Sequence, residues 1–160
     1  MGNKGATLIR FSYENTSFCF ANCHLESGFS EDLIAKRAQQ MDAIFETAFV
    51  TQRGTTEGHY SLGSHQVKVL LGDFNYRIFR EDPQVRRLIT LNDFDELFKY
   101  DEFERAKKLC VRIADFEEGP LTFEPSYKYD HDSDIYDTSS KKRVPAWCDR
   151  IFYQSDNNLS

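Results

Sequence analysis

Asp73 and Asn75 stand two residues apart in "LLGDFNYR", residues 70–77, directly after an apolar run that reaches Gly72. A carboxylate can take a proton from water or hold a hard cation. A neutral amide beside it can donate to an anion without adding repulsion. Together they suit hydrolysis of a phosphate ester. Strand alternation puts both side chains on one side as the chain leaves a sheet, and Gly72 permits close approach by backbone or ligand. The same spacing also suits an Asx-turn that ends a strand, with both side chains serving local backbone.

His24, in "NCHLES", ends a second apolar run. A lone histidine there serves structure as readily as chemistry. Its interest comes from place, because sites collect where strands end along one edge of an α/β sheet. A third stretch, "SSKKRVPAWCDR", holds Lys141, Lys142 and Arg143, with Lys128 before it in "PSYKYD" and Arg150 after it. Guanidinium grips phosphate in a bidentate fork and ammonium grips it as a point charge; a solvated surface run is the alternative. Asp149 follows Trp147 within an apolar stretch, which suggests burial. A buried carboxylate needs a partner: Arg150, a backbone group, or a histidine that it orients.

Elements must position these groups. Residues 6–13 and 17–25 read as strands joined by the turn residues "ENT", a β-hairpin. In the second strand Phe18, Phe20, Asn22 and His24 share one side, and Cys19, Ala21, Cys23 and Leu25 the other, which predicts a sheet covered on both faces. Residues 31–49 predict a helix capped by Ser30, with Ile34, Ala38, Met41, Phe45 and Ala48 as its buried stripe. A loop is expected over 52–65 and a buried strand over 67–75. A short helix follows, with Asp82 as N-cap and Pro83 first in the helix. One or two helices are expected over 93–110, irregular chain over 111–140 and a strand over 146–153. Helices mixed with buried strands make an α/β layered architecture.

The chain has 160 residues, 40% hydrophobic and 29% charged, enough for one folded domain with a real core. A net charge of −6 argues against non-specific binding to nucleic acid or membrane. Cys19, Cys23, Cys110 and Cys148 form no zinc spacing; Cys19 and Cys23 lie in an apolar strand pattern, so buried thiols are expected there, in a reducing, intracellular compartment. Strand-like sequence begins almost at Met1 and the chain stops soon after its last strand, which predicts a partial domain or a need for a partner.

In order along the chain, "GNKGA", "NCHLESG", "LLGDFNYRI", "EGPLTFEPSYKYD" and "KKRVPAWCDRI" resemble the catalytic domain of inositol polyphosphate 5-phosphatases. The pair "PSYKYD" and "PAWCDRI" is specific; "GDFN" is shared with the wider DNase-I-like superfamily. The resemblance implies a layered β-sandwich with flanking helices. It also implies Mg²⁺-dependent removal of the 5-phosphate from phosphoinositide lipids or soluble inositol polyphosphates. Carried over by position, Asp73 would activate the attacking water and Asn75 would steady that water and the phosphoryl oxygens. His24 would contact the scissile phosphate, and Asp149 would orient a second histidine. Tyr127, Lys128, Lys141 and Arg143 would grip a neighbouring 4-phosphate. Lys142 stands where the family often has an uncharged residue, and "HLES" replaces the more usual "HLAA".

The family's acidic metal ligand precedes "GNKG", and its second histidine follows "WCDRI" in an "SDH" motif. The isolated chain is therefore expected to lack several orders of magnitude in rate and to be inactive or weak. The expected partners are the inositol phosphate and Mg²⁺, with no other metal and no nucleic acid, and with membrane contact only through the substrate. A cytoplasmic, membrane-peripheral location is expected. A non-catalytic phosphoinositide-binding or interaction fragment is the alternative, and a Mg²⁺-dependent nuclease of the same superfold a further one, disfavoured by the net charge and the basic motifs.

Overall fold

Four strands and four α-helices are formed among the described residues, and the strand ends and loops carry the functional side chains. The structure, a computed structural model, describes residues 2–49 and 60–156. Strands β1 (Gly5–Tyr13) and β2 (Thr16–His24) form the expected hairpin, with Glu14 at a positive φ of 52° in its turn. Helix α1 (Glu31–Thr47) then carries the chain back, so that β3 (Val67–Asp73) lies parallel to β2. Helices α2 (Asp82–Thr90), α3 (Phe94–Phe98) and α4 (Phe103–Leu109) follow, and β4 (Asp149–Ser155) closes the sheet antiparallel to β3. The strand order is β1-β2-β3-β4.

Alternation along the strands sorts the side chains between two unlike faces. Cys19, Ala21, Cys23, Leu70 and Phe152 pack with Ala38, Met41 and Phe45 of α1 and with Phe103 and Phe116 in one core. A second core gathers Ile78, Val85, Ile89, Leu97 and Trp147. The opposite face presents Ile9, Phe11, Ile151 and Tyr153 to solvent, with Ile9 62% and Ile151 61% exposed. Cover on both faces is thus not found among the described residues, which build one sheet with its helices on one side.

Boundaries differ locally from the sequence reading. Helix α1 ends at Thr47, and Phe49 takes a positive φ of 62°. Glu81, not Asp82, is the residue before α2, because Asp82 already has helical geometry and Pro83 is second. The expected 52–65 loop falls partly outside the described residues, and its last part forms a 3₁₀ turn at Leu62–Ser64. Residues 146–148 stand outside β4; Ala146 instead pairs with Tyr127. All four cysteines are free and buried, Cys19 and Cys23 as expected and Cys110 and Cys148 beyond what the sequence pattern indicated.

Candidate active site

One row across the sheet carries the reactive side chains. Gly5 pairs with His24, His24 with Asp73, and Asp73 with Asp149, so one residue of each strand stands in line. Residues opposed in register project to the same face. Here that is the uncovered face, at the end where β2 and β3 finish. His24 Nε2 lies 3.5 Å from Asp73 Oδ2 and 2.6 Å from Lys4 Nζ. Partial burial and the Asp73 carboxylate push the Asp149 carboxyl above its ordinary range, and His24 pulls it back.

Asp149 is exposed rather than buried, because β4 begins at Asp149 and turns it outward while the buried Trp147 lies before the strand. Its neighbour Arg150 takes the inward position, 3% exposed, and bonds Asp101 at 3.0 and 3.1 Å together with Glu118. Arg150 is therefore a core cation and does not join the basic cluster.

Asn75 also departs from simple alternation. Strand β3 ends at Asp73, and Asn75 adopts a φ of 54°, which turns its side chain inward. Asp73 Oδ1 accepts the Asn75 backbone N–H at 2.9 Å, the Asx-turn that the spacing allowed. Asn75 Nδ2 donates to the Leu25 carbonyl at 3.0 Å, and Asn75 Oδ1 accepts from Arg77 Nη2 at 2.7 Å. Gly72, at φ 113°, lets strand β2 rather than a ligand approach: a Cβ there would sit 2.3 Å from the Cys23 carbonyl oxygen.

Arg77 links the row to a cavity of about 430 Å³ lined by Ser27, Arg77, Tyr127, Lys141, Lys142 and Arg143, among others. Its guanidinium lies over the Tyr127 ring, 4.4 Å from the centroid, and its Nε is buried without a hydrogen-bond partner. Arg143 is aimed by Asp137, whose carboxylate accepts the Arg143 backbone N–H at 2.9 Å and Nη1 at 3.2 Å. Bonds from Ser139 and Arg143 hold the Asp137 carboxyl well below the usual carboxylate range. Asp137 also donates its own N–H to the Lys128 carbonyl.

His24, Asp73 and Asp149 thus share one row, Asn75 adjoins it, and Tyr127, Lys141 and Arg143 share the neighbouring cavity. Lys128 is exposed and lies outside the cavity lining. Three residues received no role from the sequence reading. Arg77 follows Asn75 by two in the quoted motif, Lys142 was set aside as atypical, and Lys4 lies in "GNKGA". Their basic side chains within the motifs were the available signal. Among the described residues no group of three His, Cys, Asp or Glu side chains is placed to hold a metal ion. Asp73 and Asp149 therefore do not make a cation cage by themselves.

Comparison with known proteins gives this arrangement a context. The chain is 41% identical over 165 residues to a probable inositol polyphosphate 5-phosphatase of Schizosaccharomyces pombe, covering 96% of the chain and 14% of that protein. It is 38% identical over 158 residues to the type II inositol 1,4,5-trisphosphate 5-phosphatase of Mus musculus, covering 98% of the chain and 16% of that protein. The inositol polyphosphate 5-phosphatase domain of a synaptojanin was solved in complex with inositol (1,4)-bisphosphate and a calcium ion. It superimposes with a TM-score of 0.84 at 40% identity, over 97% of this chain and 44% of that one. The chain thus spans about a sixth or less of the two curated relatives and less than half of the solved domain. A Cimex nitrophorin with bound NO shares the fold at TM-score 0.70 and 19% identity, so the fold by itself does not dictate the chemistry. The model described as endonuclease/exonuclease/phosphatase family 2 matches residues 1–160, and the chain, with its DNase-I-like mixed sheet and flanking helices, belongs to that family.

Proposed function

We propose that this chain is part of an inositol polyphosphate 5-phosphatase. The enzyme would hydrolyse the 5-phosphate of a phosphoinositide such as phosphatidylinositol 4,5-bisphosphate, or of a soluble inositol polyphosphate. The observation that carries the reading is the link from the His24–Asp73–Asp149 row, through Asn75 and Arg77, into the cationic cavity. A substrate with two adjacent phosphates matches two adjacent sites, one for reaction and one for grip.

Asp73 takes the proton of the attacking water through Oδ2, which faces His24, while Oδ1 holds the turn. Asn75 keeps one amide N–H beyond the one given to Leu25, for that water or a phosphoryl oxygen. His24 contacts the scissile phosphate, and Asp149 orients a second histidine. Tyr127, Lys141 and Arg143, with Arg77 and Lys142, hold the 4-phosphate in the cavity, and Lys128 adds charge from outside its lining. A substrate without that phosphate leaves their charges unpaired, which sets selectivity. Mg²⁺ is the proposed cofactor, neutralising phosphoryl charge; its ligands are left unassigned. The protein works in the cytoplasm and meets membranes through its lipid substrate.

The test is phosphate release from a 4,5-bisphosphate substrate by the full-length protein with Mg²⁺. Activity abolished by EDTA and lowered about 10³-fold or more by Asp73→Asn supports the reading; an Asp73→Asn variant with wild-type turnover overturns it. A second reading, phosphoinositide binding without catalysis, is favoured for the isolated 160-residue chain by the absence of a three-residue metal cluster among the described residues. Binding that survives EDTA, without turnover, is the expected behaviour of that chain.

A further inference from the structure

The two carboxylates of the row pose an electrostatic problem. Asp73 and Asp149 are cross-strand neighbours, and the Asp73 charge is one cause of the raised Asp149 carboxyl. A phosphate dianion arriving there meets like charge, and like charges a few ångströms apart disfavour binding unless a cation sits between or beside them. The cationic cavity belongs to the neighbouring phosphate. Beside any metal ion, a protein cation at the row would ease that repulsion.

Lys4 is placed for this. It immediately precedes Gly5, the β1 member of the row, and its Nζ reaches 2.6 Å from His24 Nε2, the same nitrogen that faces Asp73 Oδ2 at 3.5 Å. Glu26, whose carboxyl also feels Lys4, is already paired with Lys36 at 2.7 Å. An ammonium group has three donors and no acceptor. The short contact therefore requires His24 to offer its Nε2 lone pair and to carry its proton on Nδ1. One ammonium N–H is spent on His24 and two are left for phosphoryl oxygens. The imidazole fixes the direction of a side chain that would otherwise sweep freely through solvent.

We propose that Lys4 is a catalytic residue of this site: it contacts the scissile phosphate directly, aimed by His24. This rests on the phosphatase reading above and adds to it a cation that acts on the 5-phosphate rather than on the 4-phosphate grip. The role makes two distinct demands. Loss of Lys4 must cost the same factor on substrates with and without a 4-phosphate, and His24 must change its tautomer when Lys4 is removed.

Nitrogen NMR of His24 in the 160-residue chain, in EDTA, reads the second demand without turnover. The expected wild-type spectrum has the proton on Nδ1 and an acceptor-type Nε2. Inorganic phosphate then shifts the Lys4 Nζ and His24 signals. In Lys4→Met the tautomer preference is lost and the phosphate response disappears, while Lys4→Arg restores the phosphate response. In the full-length protein Lys4→Met lowers kcat about 100-fold with equal effect on both substrate types, and circular dichroism confirms an intact fold. A wild-type proton on Nε2, or unchanged phosphate response and turnover in Lys4→Met, overturns the proposal. A full-length wild type that releases no phosphate would sink the phosphatase reading instead, while the NMR result would still decide whether Lys4 binds phosphate through His24.

Discussion

The Asp137 carboxylate accepts the backbone N–H of Arg143 at 2.9 Å and its guanidinium Nη1 at 3.2 Å, so one acid fixes both the loop and the side chain that it carries. Asp137 is 3% exposed, whereas Arg143 keeps the rest of its fork toward the cavity. Replacing Asp137 by Asn preserves shape but weakens the charge-assisted bonds. In the full-length protein Asp137→Asn should raise KM for 4,5-bisphosphates about tenfold and leave turnover of substrates without the 4-phosphate unchanged. Equal losses on both would show that Asp137 only supports the fold.

The same carboxylate predicts a pH dependence of stability. Its folded-state proton affinity is depressed by bonds from Ser139 and Arg143. A depressed carboxyl contributes stability above its unfolded value, near pH 4, and loses it as pH falls toward the folded value. Urea unfolding of wild type and Asp137→Asn should therefore differ most at pH 6–7, and the difference should begin to shrink as pH falls below about 4. A difference that stays constant with pH would remove the charge from the explanation.

Arg37 and Glu102 form a buried pair, each with its side chain 0% exposed, with Nε and Nη2 each 2.6 Å from a carboxylate oxygen. Arg37 also holds the carbonyls of Glu26 and Gly28, and Glu102 accepts the backbone N–H of Arg77. The pair ties the segment after His24 to the segment after Asp73. Arg37→Met or Glu102→Leu alone should cost about 3–5 kcal/mol, since each strands a buried polar partner. The double variant Arg37→Met/Glu102→Leu should cost clearly less than the two single effects summed. Chemical denaturation measures all three; simple additivity would contradict the pairing.

Much of this was legible in the sequence, and the failures have physical causes. The hairpin, the α1 stripe and the burial of Cys19 and Cys23 follow from short-range pattern. Alternation failed at Asn75 because β3 ends two residues earlier and the backbone turns left-handed. It failed at Asp149 and Arg150 because which of two adjacent charges goes inward depends on Asp101 and Glu118, far away along the chain. Arg37 sits in an otherwise apolar stripe for the same reason: its partner is 65 residues distant. The row of Gly5, His24, Asp73 and Asp149 is a property of strand register, which no single motif contains.

The buried thiols give a prediction that the isolated chain can test. Desolvation pushes Cys23 and Cys148 up to about 12, and Cys19 and Cys110 to about 11. Only the thiolate reacts with iodoacetamide. At pH 8 native alkylation should be at least about 100-fold slower than in urea. Raised thiol values also mean that their contribution is intact below the unfolded value near 8.5 and declines as pH rises through the folded values. Stability measured from pH 8 to 11 should fall accordingly; rapid native labelling of all four cysteines would contradict the burial.

The cross-sheet row has a consequence for how this chemistry can be altered. Hydrogen-bonded strands lie about 4.8 Å apart, and that pitch is a constant of backbone pairing. His24, Asp73 and Asp149 each occupy one lane of it, so their separations are quantised. Exchanging aspartate for glutamate lengthens a reach within its lane but cannot shift the lane. Variants that retune the reacting groups will therefore come from changing side-chain length, while a slip of one strand by one residue would swing that strand's member of the row to the opposite face.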